Sequence, residues 1–272
     1  MKKLFILLFL SCMYLSCNAQ TTKSGIRVHY AVTFHSFYGQ ERASQDEMVL
    51  EVDGIKSHFY SLWSVSRAEI VDSVSRAGGN YGDMDNAYAK LMYPRARHHY
   101  RVWKNCPERN KLTYTDVSLT HFRFTAPLEQ PVWTIEDRDS VICEYACRFA
   151  TADYLGRKWQ VWFAKDIPVS DGPWYLHGLP GLILEAKDSE GFFTFSCMEV
   201  RNGTLRSLDV PQKKYAECTQ DEYYSLQRLS WKDPEAYVER LTGFRGEGYD
   251  ANGKPLKHPE RKAMFLDKRF EE

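Results

Sequence analysis

The chain lacks the short signatures from which catalytic chemistry is most readily read. No Gly-x-Ser-x-Gly occurs, which removes the nucleophile elbow of an α/β hydrolase. No His-Glu-x-x-His occurs, which removes the commonest zinc-protease framework. Cys-x-x-Cys is also missing, so neither a thioredoxin-like redox pair nor a zinc knuckle is indicated. The chain has no net charge: 36 Lys and Arg balance 36 Asp and Glu. No basic stripe points to nucleic acid, and no acidic arm points to a solvating tail. Past the first twenty or so residues, no apolar run is long enough to span a bilayer. Internal repeats and low-complexity tracts are absent too.

The N-terminus carries a leader. Met1-Lys2-Lys3 is basic, Leu4 to Leu10 is apolar, and small or polar residues follow to Ala19. That pattern predicts a secretory signal over residues 1–19. Cleavage after Ala19 and lipidation of Cys17 compete as exits; lipidation is the one membrane contact the sequence offers. Export fixes the location as periplasmic, outer-membrane associated or extracellular. A β domain over 20–244 and a polar, partly mobile extension over 245–272 would remain. Aromatic residues make up 14% of the chain, which favours half-buried pleated surface.

Alternation supports that class. Val28, Tyr30, Val32 and Phe34 share one face of a strand from Ile26 to Phe37. Asp53-Gly54 is a hairpin turn between two further strands. The stretch from Val65 to Met92 reads as an irregular crossover, with room for a short helix at Asn86 to Leu91. Val141, Cys143, Tyr145, Cys147 and Phe149 share one face of an extended segment. A hairpin turning at Asp188-Ser189-Glu190-Gly191 sets Ala186 against Phe193 and Leu184 against Phe195, on one apolar face. Two short helices come late: one behind the capping box at Thr219, one starting at Asp233-Pro234 and ending near Gly243. The expected fold is therefore mainly β: a strongly curved antiparallel sheet or incomplete barrel, with a few short helices, mostly C-terminal.

The segment Gly178-Leu179-Pro180-Gly181-Leu182-Ile183 sits between an aromatic loop and an apolar run. With the ordered stretches from Gly54 to Phe195, it resembles the GLPGLI family of exported Bacteroidetes proteins, whose activity is not settled. The resemblance implies export, and an association with TonB-dependent outer-membrane uptake or another envelope protein as partner. The residues themselves offer two readings of the loop. In one, the glycines and Pro180 form an architectural corner that launches a core strand. In the other, Trp174, Tyr175 and His177, with Arg157 and Asp171, line a site for a ligand or partner.

Five cysteines lie outside the leader, so at most two bridges can form; Cys147–Cys197 is the pairing expected, since both face the core. No metal site is expected. His98 and His99 point to opposite faces of a strand, and His29 and His35 lie about 20 Å apart along theirs. No cofactor is implied. The favoured function is non-enzymatic binding of a ligand or envelope partner. The alternative is an envelope hydrolase near the Gly178–Ile183 loop, which requires Arg157, Asp171 and His177 to meet in one cleft.

Overall fold

The computed structural model describes residues 24–90, 96–246, 254 and 261–271. The leader, Cys17, Leu91, Met92 and much of the extension from 245 lie outside those residues. β1 (Ser24–Phe34) lies inside the sheet and buries the expected face of Val28, Tyr30, Val32 and Phe34. On one side it pairs with β2 (Ser44–Val52). The chain then meanders outward through β3 (Ser57–Ser61), β4 (Arg101–Lys104), β5 (Lys111–Val117) and β6 (His121–Pro127). It resumes at the far edge with β7 (Thr134–Ile142) and returns through β8 (Tyr145–Tyr154), β9 (Arg157–Ala164) and β10 (Leu182–Asp188). β11 (Phe193–Thr204) closes that return by pairing with the other side of β1. β12 (Ala216–Glu217) adds to β6 in parallel.

Among the described residues the result is one mixed, open sheet of twelve strands, ending at β12 and β7. It corrects the expectation of a strongly curved antiparallel sheet or incomplete barrel: the sheet neither closes nor curves strongly, and one pairing is parallel. Alternation tells each side chain which face to take and says nothing about closure. Growth from both sides of β1 carries the two end strands apart. The β7 edge bears Glu136, Asp137, Arg138 and Asp139, charges that discourage further strand pairing.

Three local expectations are also corrected. The crossover holds two helices, α1 (Leu62–Arg76) and α2 (Tyr81–Ala89), capped by Ser61 and Asn80. Little of either is buried, so the sequence carries no clear apolar stripe there. The single extended face from Val141 to Phe149 is broken by a two-residue turn, with Cys143 and Glu144 at φ of 47° and 69°. Neither residue is the Gly or Asn that usually marks such a turn. In the β10–β11 hairpin, Ala186 faces Phe195, two residues from the expected partner. Asp188 widens that turn, accepting from the Phe193 N–H at 2.8 Å and the Gly191 N–H at 3.1 Å. A shift of two keeps every side chain on its face.

The late helices are α3 (Gln220–Lys232), with a complete capping box at Thr219, and α4 (Pro234–Thr242), ended by Gly243 at φ 77°. The main core lies on one sheet face, beneath residues 168–181, α3 and the segment 261–271. A small second cluster of Val49, Tyr60 and Val65 lies on the other face under α1.

Candidate functional site

The loop from residue 168 to 181 is fixed from several sides. Leu182 N–H donates to Ile167 O at 3.1 Å, and Ile183 N–H to Asp171 O at 3.0 Å. Tyr30 from β1 donates to Ile183 O at 2.7 Å, and Trp133 Nε1 to His177 O at 2.7 Å. Beneath it, Lys104 on β4 is buried. Its Nζ donates to Gly172 O at 2.6 Å and Leu176 O at 3.3 Å, and pairs with the Asp171 carboxylate. Desolvation lowers the Lys104 ammonium from its ordinary range, opposed by the charge of Asp171. Gly181 allows a close approach: a Cβ there would stand 2.2 Å from Ala164 O. Leu179, Leu182 and Ile183 are core residues, whereas Pro180 is exposed. Gly178 has a φ of 94°.

The five residues proposed as a site do different things. Trp174 and Tyr175 stack on each other at 4.3 Å and are buried. Trp174 packs on Trp159 and Tyr154; Tyr175 meets Tyr114 on β5 edge to face at 6.5 Å. Half-buried His177 directs Nδ1 to Tyr175 O at 2.8 Å, and burial pushes its imidazole below the ordinary range. Arg157 is fully occupied elsewhere. It reaches Asp188 at 3.2 Å, Glu190 at 3.3 Å, Phe265 O and the Glu271 carboxylate, fastening the segment 261–271 to the sheet. No cavity described is lined by Arg157, Asp171 and His177 together.

Cys147 and Cys197 are free thiols. This corrects the expected bridge: Cys147 is on β8 and Cys197 on β11, with β9 and β10 between them. Sharing a core face does not make them neighbours. Cys143, across the new turn, instead donates its thiol to Cys197 O at 3.2 Å. Among the described residues, no three His, Cys, Asp or Glu side chains gather as a metal site.

A cavity of about 530 Å³ lies on the main core face. Its walls are aromatic: Tyr100, Tyr114, Trp174, Tyr223, Tyr224 and Trp231. Tyr100 stacks on Tyr114 at 5.5 Å, and Tyr114 on Phe124 at 4.8 Å. Asp116 brings a carboxyl group into this wall. It is the next inward position after Tyr114 on β5. Tyr223 donates to Asp116 Oδ2 at 2.5 Å, while Oδ1 accepts from the Val117 N–H at 2.7 Å. Desolvation raises the Asp116 carboxyl above its ordinary range, against the hydrogen bond from Tyr223. The Tyr100 hydroxyl is buried with no partner. The opposite rim is positioned by buried Asp46, whose Oδ2 accepts from the N–H groups of Arg97 at 3.1 Å and His98 at 2.8 Å. His98 Nδ1 also stands 3.4 Å from that oxygen.

Of the residues proposed as a ligand site from the sequence, Trp174 alone lines this cavity, and Tyr100, Tyr114, Asp116, Tyr223, Tyr224 and Trp231 were not among them. The available signal was an acid in line with Leu112 and Tyr114 on an inward strand face, since a polar residue at a core position is more informative than another apolar one.

A family model described as a protein of unknown function (Porph_ging) matches residues 156–185, the return strand, the fixed loop and the start of β10. No curated protein matches the chain. Among solved structures, PNGF-II in a P21 crystal form is similar with a TM-score of 0.50 at 13% identity, covering 74% of this chain and 32% of that one. A LolA superfamily protein, NE2245 from Nitrosomonas europaea, aligns with a TM-score of 0.27 at 8% identity, over 70% of this chain and 88% of that one. The chain therefore spans about a third of PNGF-II, and at this identity the likeness shows the fold alone.

Proposed function

We propose that the protein is an exported envelope protein of GLPGLI type that binds a ring-bearing polar ligand, such as a sugar of envelope material, in the aromatic cavity. The observation that carries this reading is the pairing of aromatic walls with an inward Asp116 and an unpartnered Tyr100 hydroxyl. Aromatic faces accept the apolar faces of a sugar ring, and a few placed polar groups fix its orientation. Export rests on the leader pattern at the N-terminus, and the GLPGLI assignment on the stretches from Gly54 to Phe195. A TonB-dependent uptake system as partner rests on the family resemblance.

A second reading, an envelope hydrolase, is favoured by one feature. Asp116 is a carboxyl group that burial keeps protonated beyond the usual range, the state a general acid needs. PNGF-II, one of the solved structures similar to this chain, shares its fold over 74% of this chain. The site would then be the cavity beside Trp174, and the trio of Arg157, Asp171 and His177 would have no part in the chemistry.

The test is calorimetric titration with N-acetylglucosamine oligomers and other envelope saccharides. Saturable binding that weakens at least about tenfold in Trp231→Ala or Tyr100→Phe is expected, the loss of one good contact. Absence of binding, or binding indifferent to both changes, overturns the ligand reading. Product formation abolished in Asp116→Asn, with binding retained, decides for the hydrolase.

A further inference from the structure

On the opposite sheet face, a second cavity of about 510 Å³ opens between α1 and the segment 206–212. Strand alternation builds its floor. Phe59 and Val102 point to the main core, so His58 and Tyr60 on β3 and Arg101 and Trp103 on β4 point to the back. His58 and Trp103 are a cross-strand pair, stacked at 4.3 Å with their planes 8° apart.

This floor is rich in donors that donate to nothing. His58 is 6% exposed, and neither ring nitrogen has a partner. Trp103 is 1% exposed, and its Nε1–H is also unpartnered. An unsatisfied buried polar group costs about 1–3 kcal/mol, and a folded protein that keeps three together needs a reason. The cations differ in their commitments. Arg206 is tied to Glu69 on α1 and Lys56 to Asp209, whereas the Arg101 side chain makes no hydrogen bond or ion pair among the described residues. Asp72 on that rim acts on Arg101 at longer range and is exposed to water.

We infer that this back cavity is an oxyanion-binding site, in which Arg101, the Trp103 indole N–H and one His58 ring N–H hold a carboxylate or phosphate group. The chemistry follows from the donor set. Guanidinium and indole only donate, and a neutral imidazole donates from one nitrogen. Burial keeps His58 neutral, since desolvation and the nearby Arg101 and Arg206 all lower its imidazole from the ordinary range. A cation would find two donors and an arginine facing it. An anion finds a charged fork and two unpartnered N–H groups. Val65 and Val210 supply an apolar wall for the remainder of a small organic acid. The site is independent of the aromatic cavity.

The experiment titrates the folded protein with inorganic phosphate and, separately, with benzoate at constant ionic strength. The readout is the Trp103 indole ¹H–¹⁵N resonance, assigned by its loss in Trp103→Phe. Saturable movement with either anion is expected, phosphate alone identifying a phosphate source and benzoate alone a carboxylate. Arg101→Met should weaken binding at least about tenfold. If that variant does not fold, Trp103→Phe, which keeps the ring and removes the donor, is read by calorimetry and should weaken binding several-fold. Asp116→Asn should leave it unchanged. No saturable shift with either anion, an equal shift with chloride, or binding that survives the donor-removing variant overturns the proposal and leaves bound water as the occupant.

Discussion

Asp171→Asn is the sharpest test of how the fixed loop is held. The substitution keeps volume and one acceptor oxygen and removes the charge. In the native protein Lys104 is 1% exposed and Asp171 6% exposed, so the surviving ammonium would be left inside the core. Its two carbonyl partners, Gly172 O and Leu176 O, solvate it only in part. Removing one member of a buried pair costs about 3–5 kcal/mol, against a whole-domain stability of about 5–15 kcal/mol. With a urea slope near the upper end of the usual range, about 3 kcal/mol per molar, the midpoint should fall by roughly 1–1.7 M.

The pH dependence separates a charge effect from a packing effect. Lys104 has a folded-state value already lowered by desolvation, with Asp171 acting to raise it. Without Asp171 that support is lost, and the amine releases its proton more readily. A base whose folded value lies below its unfolded value binds fewer protons when folded, so stability rises with pH through the window between the two. The variant should therefore recover part of its deficit between neutral pH and about pH 10, more than the wild type gains. The assay is urea unfolding by tryptophan fluorescence at several pH values. Replacing both partners, Lys104→Met with Asp171→Leu, should be much milder than either single change. A deficit below about 1 kcal/mol, or one that does not shrink with pH, would refute the argument that a stranded charge is responsible.

Other outcomes follow from the same geometry. Gly181→Ala places a Cβ against Ala164 O at 2.2 Å, so β9 and the loop must part; a fall in melting temperature equivalent to roughly 2 kcal/mol or more is expected in calorimetry. Glu271→Gln removes a buried partner of Arg157 and should loosen residues 261–271 first, read as faster amide exchange in that segment with β1 unaffected. Asp116, raised by desolvation, contributes stability that is present at low pH and lost as pH rises through its folded value; Asp116→Asn should flatten that acid-side slope in urea unfolding. The Cys147 thiol, pushed up to about 11 by burial, should alkylate at pH 8 many times more slowly in the native than in the unfolded protein, as counted by mass spectrometry.

How much of this was legible depends on which physical force wrote each feature. The β1 face, the Asp53-Gly54 turn, the Thr219 cap and the Gly243 stop are set by local chemistry, and they appear where the sequence puts them. The turn at Cys143 and Glu144 carries no turn residue; it is imposed by β7 pairing with β8, which no local pattern reports. α1 escaped notice, and α2 was marked only near its end, over Asn86 to Leu91, for the converse reason: both sit mostly in water, so selection for an apolar stripe is weak. Closure of the sheet was unreadable in principle, because alternation is identical in an open sheet and in a barrel.

The candidate sites follow a different logic. Tyr100, Val102 and Lys104 alternate inward on one path, and so do Leu112, Tyr114 and Asp116 on the next. In each, a charged residue stands where the pattern calls for an apolar one. One of these breaks holds a loop, through Asp171. The other opens a cavity, through Tyr223. A break in an inward pattern thus marks a place where the fold accepts a desolvation cost for a purpose, and only the partner distinguishes anchor from site. Lys104 is met by a carboxylate and two carbonyls, which complete its valence. Asp116 is met by one phenol and one N–H beside open space, and that unfilled capacity is why the proposed ligand site is the aromatic cavity and not the fixed loop.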